Sequence, residues 1–201
     1  MQGLVGANRY TAGSNNIART DKDGCLVVEI NGRLYESAYN GRVFNGGAIV
    51  TAPVIFSTAA GTGGPILYNG GTSTNAVLLK VGISTSVVTT VAGGVGLTGG
   101  TSIPLTSTTA ADFGPKNNFM GGAAPLCSIF RVGTPVGAGG FFVPLLAVHT
   151  GALTVDTTDT AWFDIEGGFV VPPTGWISLA GSATLSTLVM QASFVWAEVP
   201  V

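Results

Sequence analysis

Few residues in this sequence have the types and spacing that chemistry uses, and each such set has a plainer structural reading. Gly94-Val-Gly96-Leu-Thr-Gly99 matches G-x-G-x-x-G, which holds a pyrophosphate when a strand precedes it and a helix begins within it. Here Gly99 runs on into Gly100-Thr-Ser-Ile-Pro104, a stretch that starts no helix. In a chain with 31 glycines the match is expected to be accidental. His149 is the only histidine, so any Ser-His-Asp or Cys-His arrangement would have to use it, and no G-x-S-x-G elbow presents a nucleophilic serine. Its place after Leu145-Leu-Ala-Val148 predicts a strand-end residue with a structural or surface role.

Cys25 and Cys127 lack C-x-x-C spacing, and with one histidine they supply no zinc ligand set. They read as small buried hydrophobes, with a mutual disulfide as the alternative. Asp156, Asp159, Asp164 and Glu166 form the one acidic cluster. Paired carboxylates serve glycoside hydrolysis or Ca²⁺ binding, but this spacing matches no Ca²⁺ loop. Asp156 and Asp159 fall in a Thr-rich turn, where an Asp side chain accepts local backbone N–H groups. No residue is therefore assigned to catalysis, cofactor binding or a metal, and a non-enzymatic protein is expected. The aromatics Trp162, Phe163, Phe169, Trp176, Phe194 and Trp196 crowd the last 40 residues. A sugar-binding face would use Trp; filling a core or a subunit seam is the expected role.

The elements that would position these residues are strands. Cys25-Leu-Val-Val-Glu-Ile30, Asn31-Gly32 and Arg33-Leu-Tyr-Glu36 read as a hairpin around a type I′ turn, since Asn and Gly tolerate positive φ. Residues 1 to about 20 read as an extended arm. Beyond residue 43, strands are predicted at Ala48–Ala52, Val54–Thr58, Pro65–Tyr68, Ala76–Thr90, Ser102–Leu105, Leu126–Val132, Phe141–Val148, Trp162–Glu166, Trp176–Ala180 and Thr187–Glu198. Gly-, Pro- and Asn-rich turns separate them, and no long window has helical periodicity, so an all-β sandwich or barrel follows. Ala59–Gly64 and Ala110–Phe119 read as the longest loops. In the last strand Leu188, Met190, Ala192, Phe194 and Trp196 alternate inward, leaving Val189 and Val195 on the other face as candidate subunit-interface residues. In the Ala76–Thr90 run, Val77, Leu79, Val81 and Ile83 share one side, and Lys80 should point outward.

Only 9% of residues are charged, against about 25% in ordinary soluble domains. Part of the surface is thus expected to be covered by another protein, with a neutral Thr/Ser-rich surface as the alternative. Half of the charged residues lie in the first 42 positions, and from Val43 to Ala111 the only charge is Lys80. This divides the chain into an attachment segment, residues 1–42, and a neutral sandwich, residues 43–201. A net charge of −2 without basic clusters argues against nucleic acid. No run approaches the 18 or more apolar residues of a spanning helix, despite a mean hydropathy of +0.49. Residues 1–10 lack the basic start and apolar core of a secretory signal, so synthesis in a cytoplasm is expected.

Phe169-Val-Val-Pro-Pro-Thr-Gly-Trp-Ile-Ser-Leu-Ala-Gly181, followed by a strand ending Ala192-Ser-Phe-Val-Trp-Ala-Glu-Val-Pro200, resembles the ends of small virion proteins of tailed bacteriophages. In those, a Val-x-Pro-x-Gly turn leads into a strand, and the last strand finishes with an aromatic, an acid and a Pro. With Pro65-Ile-Leu-Tyr-Asn69 and the strand from Ala76, the resemblance covers roughly residues 50–201. It implies a jelly-roll sandwich, commonly trimeric, seated on a capsid as a decoration or cement protein, with the receptor-binding heads of tail fibres or spikes as structural relatives. The implied partners are further copies of the chain and the major capsid protein; a glycan receptor belongs to the fibre-head alternative. Arg9, Arg19, Lys22, Arg33 and Arg42 are the candidate capsid-attachment residues.

Overall fold

The computed structural model describes residues 38, 40–51, 64–87, 92–101, 106–134, 140–148, 160–183, 185 and 188–201. The arm, the Asn31-Gly32 hairpin, the predicted strands at Val54–Thr58 and Ser102–Leu105, His149, Asp156 and Asp159 lie outside them.

Among the described residues the chain forms β1 (Val43–Thr51), β2 (Ile66–Asn69), β3 (Thr74–Val87), β4 (Gly93–Gly100), β5 (Thr106–Ala110), β6 (Phe113–Asn117), β7 (Cys127–Thr134), β8 (Val143–Val148), β9 (Thr160–Val171), β10 (Trp176–Gly181) and β11 (Val189–Pro200). They make two sheets, ordered β6-β1-β11-β3-β9 and β5-β7-β2-β10-β4-β8. Every pairing is antiparallel.

With strands β5, β6 and β7 set aside, four of the remaining pairs nest along the chain, β1 with β11, β2 with β10, β3 with β9, and β4 with β8, and the pairings β11–β3 and β10–β4 join them two to a sheet. Successive pairs alternate between the sheets, as in one long ribbon of strand pairs rolled into a sandwich. That is the jelly roll, two Greek keys folded face to face. The segment between β4 and β8 adds an edge strand, β6, to the first sheet and two strands, β7 and β5, to the second. The core lies between the inner faces, where Leu78, Val81, Met190, Phe194 and Trp196 of one sheet meet Leu67, Val95, Leu97, Ile177 and Leu179 of the other. Stacking of Phe44 on Trp196, centroids 6.0 Å apart, and of Phe141 on Phe169, 5.2 Å, adds aromatic contact to that burial.

Two sequence expectations are corrected here. The expected inward set on β3 was Val77, Leu79, Val81 and Ile83; the buried set is Ala76, Leu78, Val81 and Ile83. The cause is a bulge. Leu78 and Lys80 face Trp196 and Val195 in turn, leaving Leu79 as an extra residue, and one extra residue reverses the parity of all that precedes it. Lys80 is outward as expected.

The second correction concerns Gly93–Gly100 and the two strands that follow Ser102–Leu105. Gly93-Gly94 and Gly99-Gly100, which read as two of the Gly-rich turns, are the ends of β4, and the loop expected at Ala110–Phe119 contains β6. A Cβ on Gly96 would lie 2.4 Å from the Val143 carbonyl oxygen, and one on Gly99 would lie 2.6 Å from that of Trp176. The G-x-G-x-x-G pattern therefore records close backbone approach inside a packed sheet rather than a phosphate cradle.

Candidate functional site

The Val171-Pro-Pro-Thr-Gly175 turn is held at one end of the sandwich by Asn69. Asn69 ends β2 fully buried, and its side-chain amide donates to the carbonyls of Thr74 (2.8 Å) and Val171 (2.9 Å) while its oxygen accepts from Gly71 N–H (3.1 Å). Its own backbone pairs with Gly175 and Thr174. One amide thus ties the β2–β3 turn to the Val171-Pro-Pro-Thr-Gly175 turn and satisfies groups that burial would otherwise orphan.

Beside it stands the acid of the Trp-Ala-Glu-Val-Pro ending. Glu198 is only 8% exposed. Its Oε1 accepts from the N–H groups of Leu126 and Cys127, each at 2.9 Å, and from Trp196 Nε1 at 3.3 Å; Oε2 accepts from Leu126 at 3.1 Å. The carboxylate binds the start of β7, in one sheet, to β11 in the other. Burial, with the Glu198 charge adding to it, pushes the Cys127 thiol well above the ordinary cysteine range. Cys127 is a free, buried thiol and is kept protonated rather than poised as a nucleophile.

The same end carries solvent-facing apolar groups. Met120 is 96% exposed, and Leu126, Phe119, Val199 and Val201 are exposed with it. They are brought to this end by specific bonds: Asn118 N–H to Val43 carbonyl, Leu126 N–H to Glu198, and Val201 N–H to Ser73 carbonyl. Exposed Arg42 lies here as well, its carbonyl accepting from Glu198 N–H. Of the five candidate attachment residues, Arg42 is described; Arg9, Arg19, Lys22 and Arg33 are outside the described residues. The sequence reading missed Met120, although Asn-Asn-Phe-Met-Gly-Gly, two large apolar residues between turn formers, is the signal that marks it.

The two broad outer faces differ. On β10 the residues pointing away from the core, Trp176, Ser178 and Ala180, are buried too. The opposite face is more open: Asn45, Ile49 and Thr51 of β1, Gln191 of β11 and Thr160, Trp162, Asp164 and Glu166 of β9 are exposed. Val195 sits half-buried there between Asn45 and Lys80, and half-buried Val189 faces Thr51. Farther out on β9, Asp164 pairs with Lys80 (2.7 Å). Trp162 is 58% exposed, the exception among aromatics expected to be covered, while Trp176, Phe194 and Trp196 are buried.

Asp164 and Glu166 share the outer side of β9, so the described part of the acidic cluster faces solvent and one member is held by a lysine. Among the described residues no group of three or more His, Cys, Asp or Glu side chains stands close enough to hold a metal. No helix among them is long and apolar enough to cross a membrane. The chain matches no protein-family model, no curated protein and no solved structure.

Proposed function

We propose that this chain is a jelly-roll decoration or cement protein of a tailed-phage capsid, binding as a homotrimer that bridges coat subunits and stabilises the shell. The observation carrying this reading is the apolar end of the sandwich: Met120, Leu126, Val199 and Val201 stand in solvent on a protein only 9% charged, next to Arg42. Each 100 Å² of apolar surface covered is worth about 2.5 kcal/mol before ordering costs, so seating this end on a shell would hold neighbouring coat subunits together. The jelly-roll topology and the Val-x-Pro-x-Gly and Trp-Ala-Glu-Val-Pro motifs support the same reading. The β1–β11 half of the open face, with Val189, Val195 and Ile49, is the proposed contact between copies.

The test uses particles of the encoding phage. Purified chain should cosediment with empty heads, gold-labelled protein should appear on heads in electron micrographs, and the isolated chain should sediment as a trimer. Met120→Asp with Leu126→Ser should abolish cosedimentation while leaving circular dichroism unchanged. Label confined to the tail, or undiminished binding by the double variant, overturns the assignment.

A further inference from the structure

The indole of Trp162 is laid flat on the sheet. A Cβ built on Gly82 would sit 2.9, 2.9 and 3.0 Å from Cη2, Cζ3 and Cζ2 of that ring. A point nearly equidistant from three consecutive corners of a hexagon lies on its axis, so the six-membered ring covers Gly82 face-down. Gly82 and Trp162 are direct partners across β3 and β9, and only glycine leaves room for that contact. The ring's other face looks into solvent, which accounts for the 58% exposure of so large a side chain.

What surrounds the ring is polar. One rung toward the start of β9, the Thr160 hydroxyl bonds that of Ser84 (3.2 Å); one rung the other way, Lys80 pairs with Asp164. A rung is two residues, roughly 6.5 Å, so hydrogen-bonding groups flank the ring on both sides at the reach of a sugar's substituents. An anchor tryptophan in a protein interface sits near the centre of a well-packed patch whose surrounding contacts exclude water, and charged residues are depleted from that patch. A flat apolar plate bordered by hydroxyls, a carboxylate and an ammonium instead matches a pyranose, whose C–H face is apolar and whose hydroxyls radiate from its edge.

We propose that Trp162, bordered by Lys80–Asp164 and Ser84–Thr160, is a shallow glycan-binding platform that stacks one pyranose ring against its exposed face. The site lies on the β9 side of the open face, apart from the apolar end, and it stands or falls independently of where the protein sits on a particle. A single stacked ring with a few hydrogen bonds gives dissociation constants on the order of 1 mM.

Saturation-transfer NMR on the intact chain tests this, with oligosaccharides of glucose, galactose, mannose, rhamnose and N-acetylglucosamine as probes. At least one should receive saturation, strongest at the ring protons of its apolar face. Trp162→Ala should reduce that transfer tenfold or more, Trp162→Phe should retain part of it, and Asp164→Asn should weaken it with the fold unchanged by circular dichroism. Absence of transfer to every probe overturns the proposal, as does equal transfer by Trp162→Ala. If Trp162→Ala dissociates an oligomer in sedimentation runs, the residue is an interface anchor and the proposal also fails.

Discussion

The carboxylate of Glu198 accepts the backbone N–H of Cys127 at 2.9 Å across the sandwich, joining the last strand of one sheet to the first residue of a strand in the other. It also holds the N–H of Leu126, which carries one of the exposed apolar side chains. The core of the fold and its proposed attachment end therefore share one side chain.

Replacing that carboxylate should be costly. Glu198→Ala leaves two backbone N–H groups and the Trp196 indole N–H without their acceptor, and a buried donor left unsatisfied costs about 1–3 kcal/mol. We expect a loss of about 3 kcal/mol in urea unfolding, with a smaller loss for Glu198→Gln, which keeps one acceptor oxygen. Equal stability of all three proteins would contradict the assigned bonds.

The glycines of β4 should divide by the space around them. Gly96→Ala and Gly99→Ala drive a Cβ into backbone carbonyls of the neighbouring strands, and overpacking of this kind costs about 1–3 kcal/mol. Gly94 has nothing closer than 3.5 Å, so Gly94→Ala should be tolerated. Thermal unfolding of the three variants separates a packing role from a phosphate-binding one, under which all three would lose nucleotide affinity and none need lose stability.

Thr174 is a β-branched residue at φ 63°, where an L side chain costs roughly 1–2 kcal/mol. Thr174→Gly retains the backbone N–H that donates to Asn69 and should raise stability by up to about 1 kcal/mol once the flexibility of glycine in the unfolded chain is subtracted. A lowered melting temperature would refute this reading of the turn.

Cys127 should resist alkylation. Its thiol is raised above the ordinary value, and only the thiolate attacks iodoacetamide. Peptide mapping by mass spectrometry should find it unmodified at pH 9 in the native protein, although an ordinary cysteine, with a pKa of about 8.5, is mostly ionised there. In urea it should label fully. Rapid native labelling would show that the site opens.

Alternation and turn chemistry made the sheet legible along most of the chain. The last strand, with Met190, Phe194 and Trp196 on one face, could be read directly because nothing interrupts its period of two. The jelly-roll expectation came through the Val-Pro-Pro-Thr-Gly and Trp-Ala-Glu-Val-Pro motifs, whose residues Val171, Thr174, Gly175 and Glu198 hold the turns and the two sheets together. β4 was hidden because its glycines have the same composition as a turn, and composition does not reveal that a neighbour's carbonyl occupies the place of a side chain. On β3, pairing with β11 set the bulge at Leu79, and that bulge reversed which residues face the core.

The candidate sites divide in the same way. Low charge and the lack of catalytic spacings are properties of the linear chain, and the expectation of a covered, non-catalytic protein rests on them. Residue order does not say which surfaces remain open. The tertiary structure buried Trp176, opened Trp162 over Gly82, and gathered Met120, Leu126 and Val201 at one end, because exposure depends on what strands far apart in sequence bring alongside.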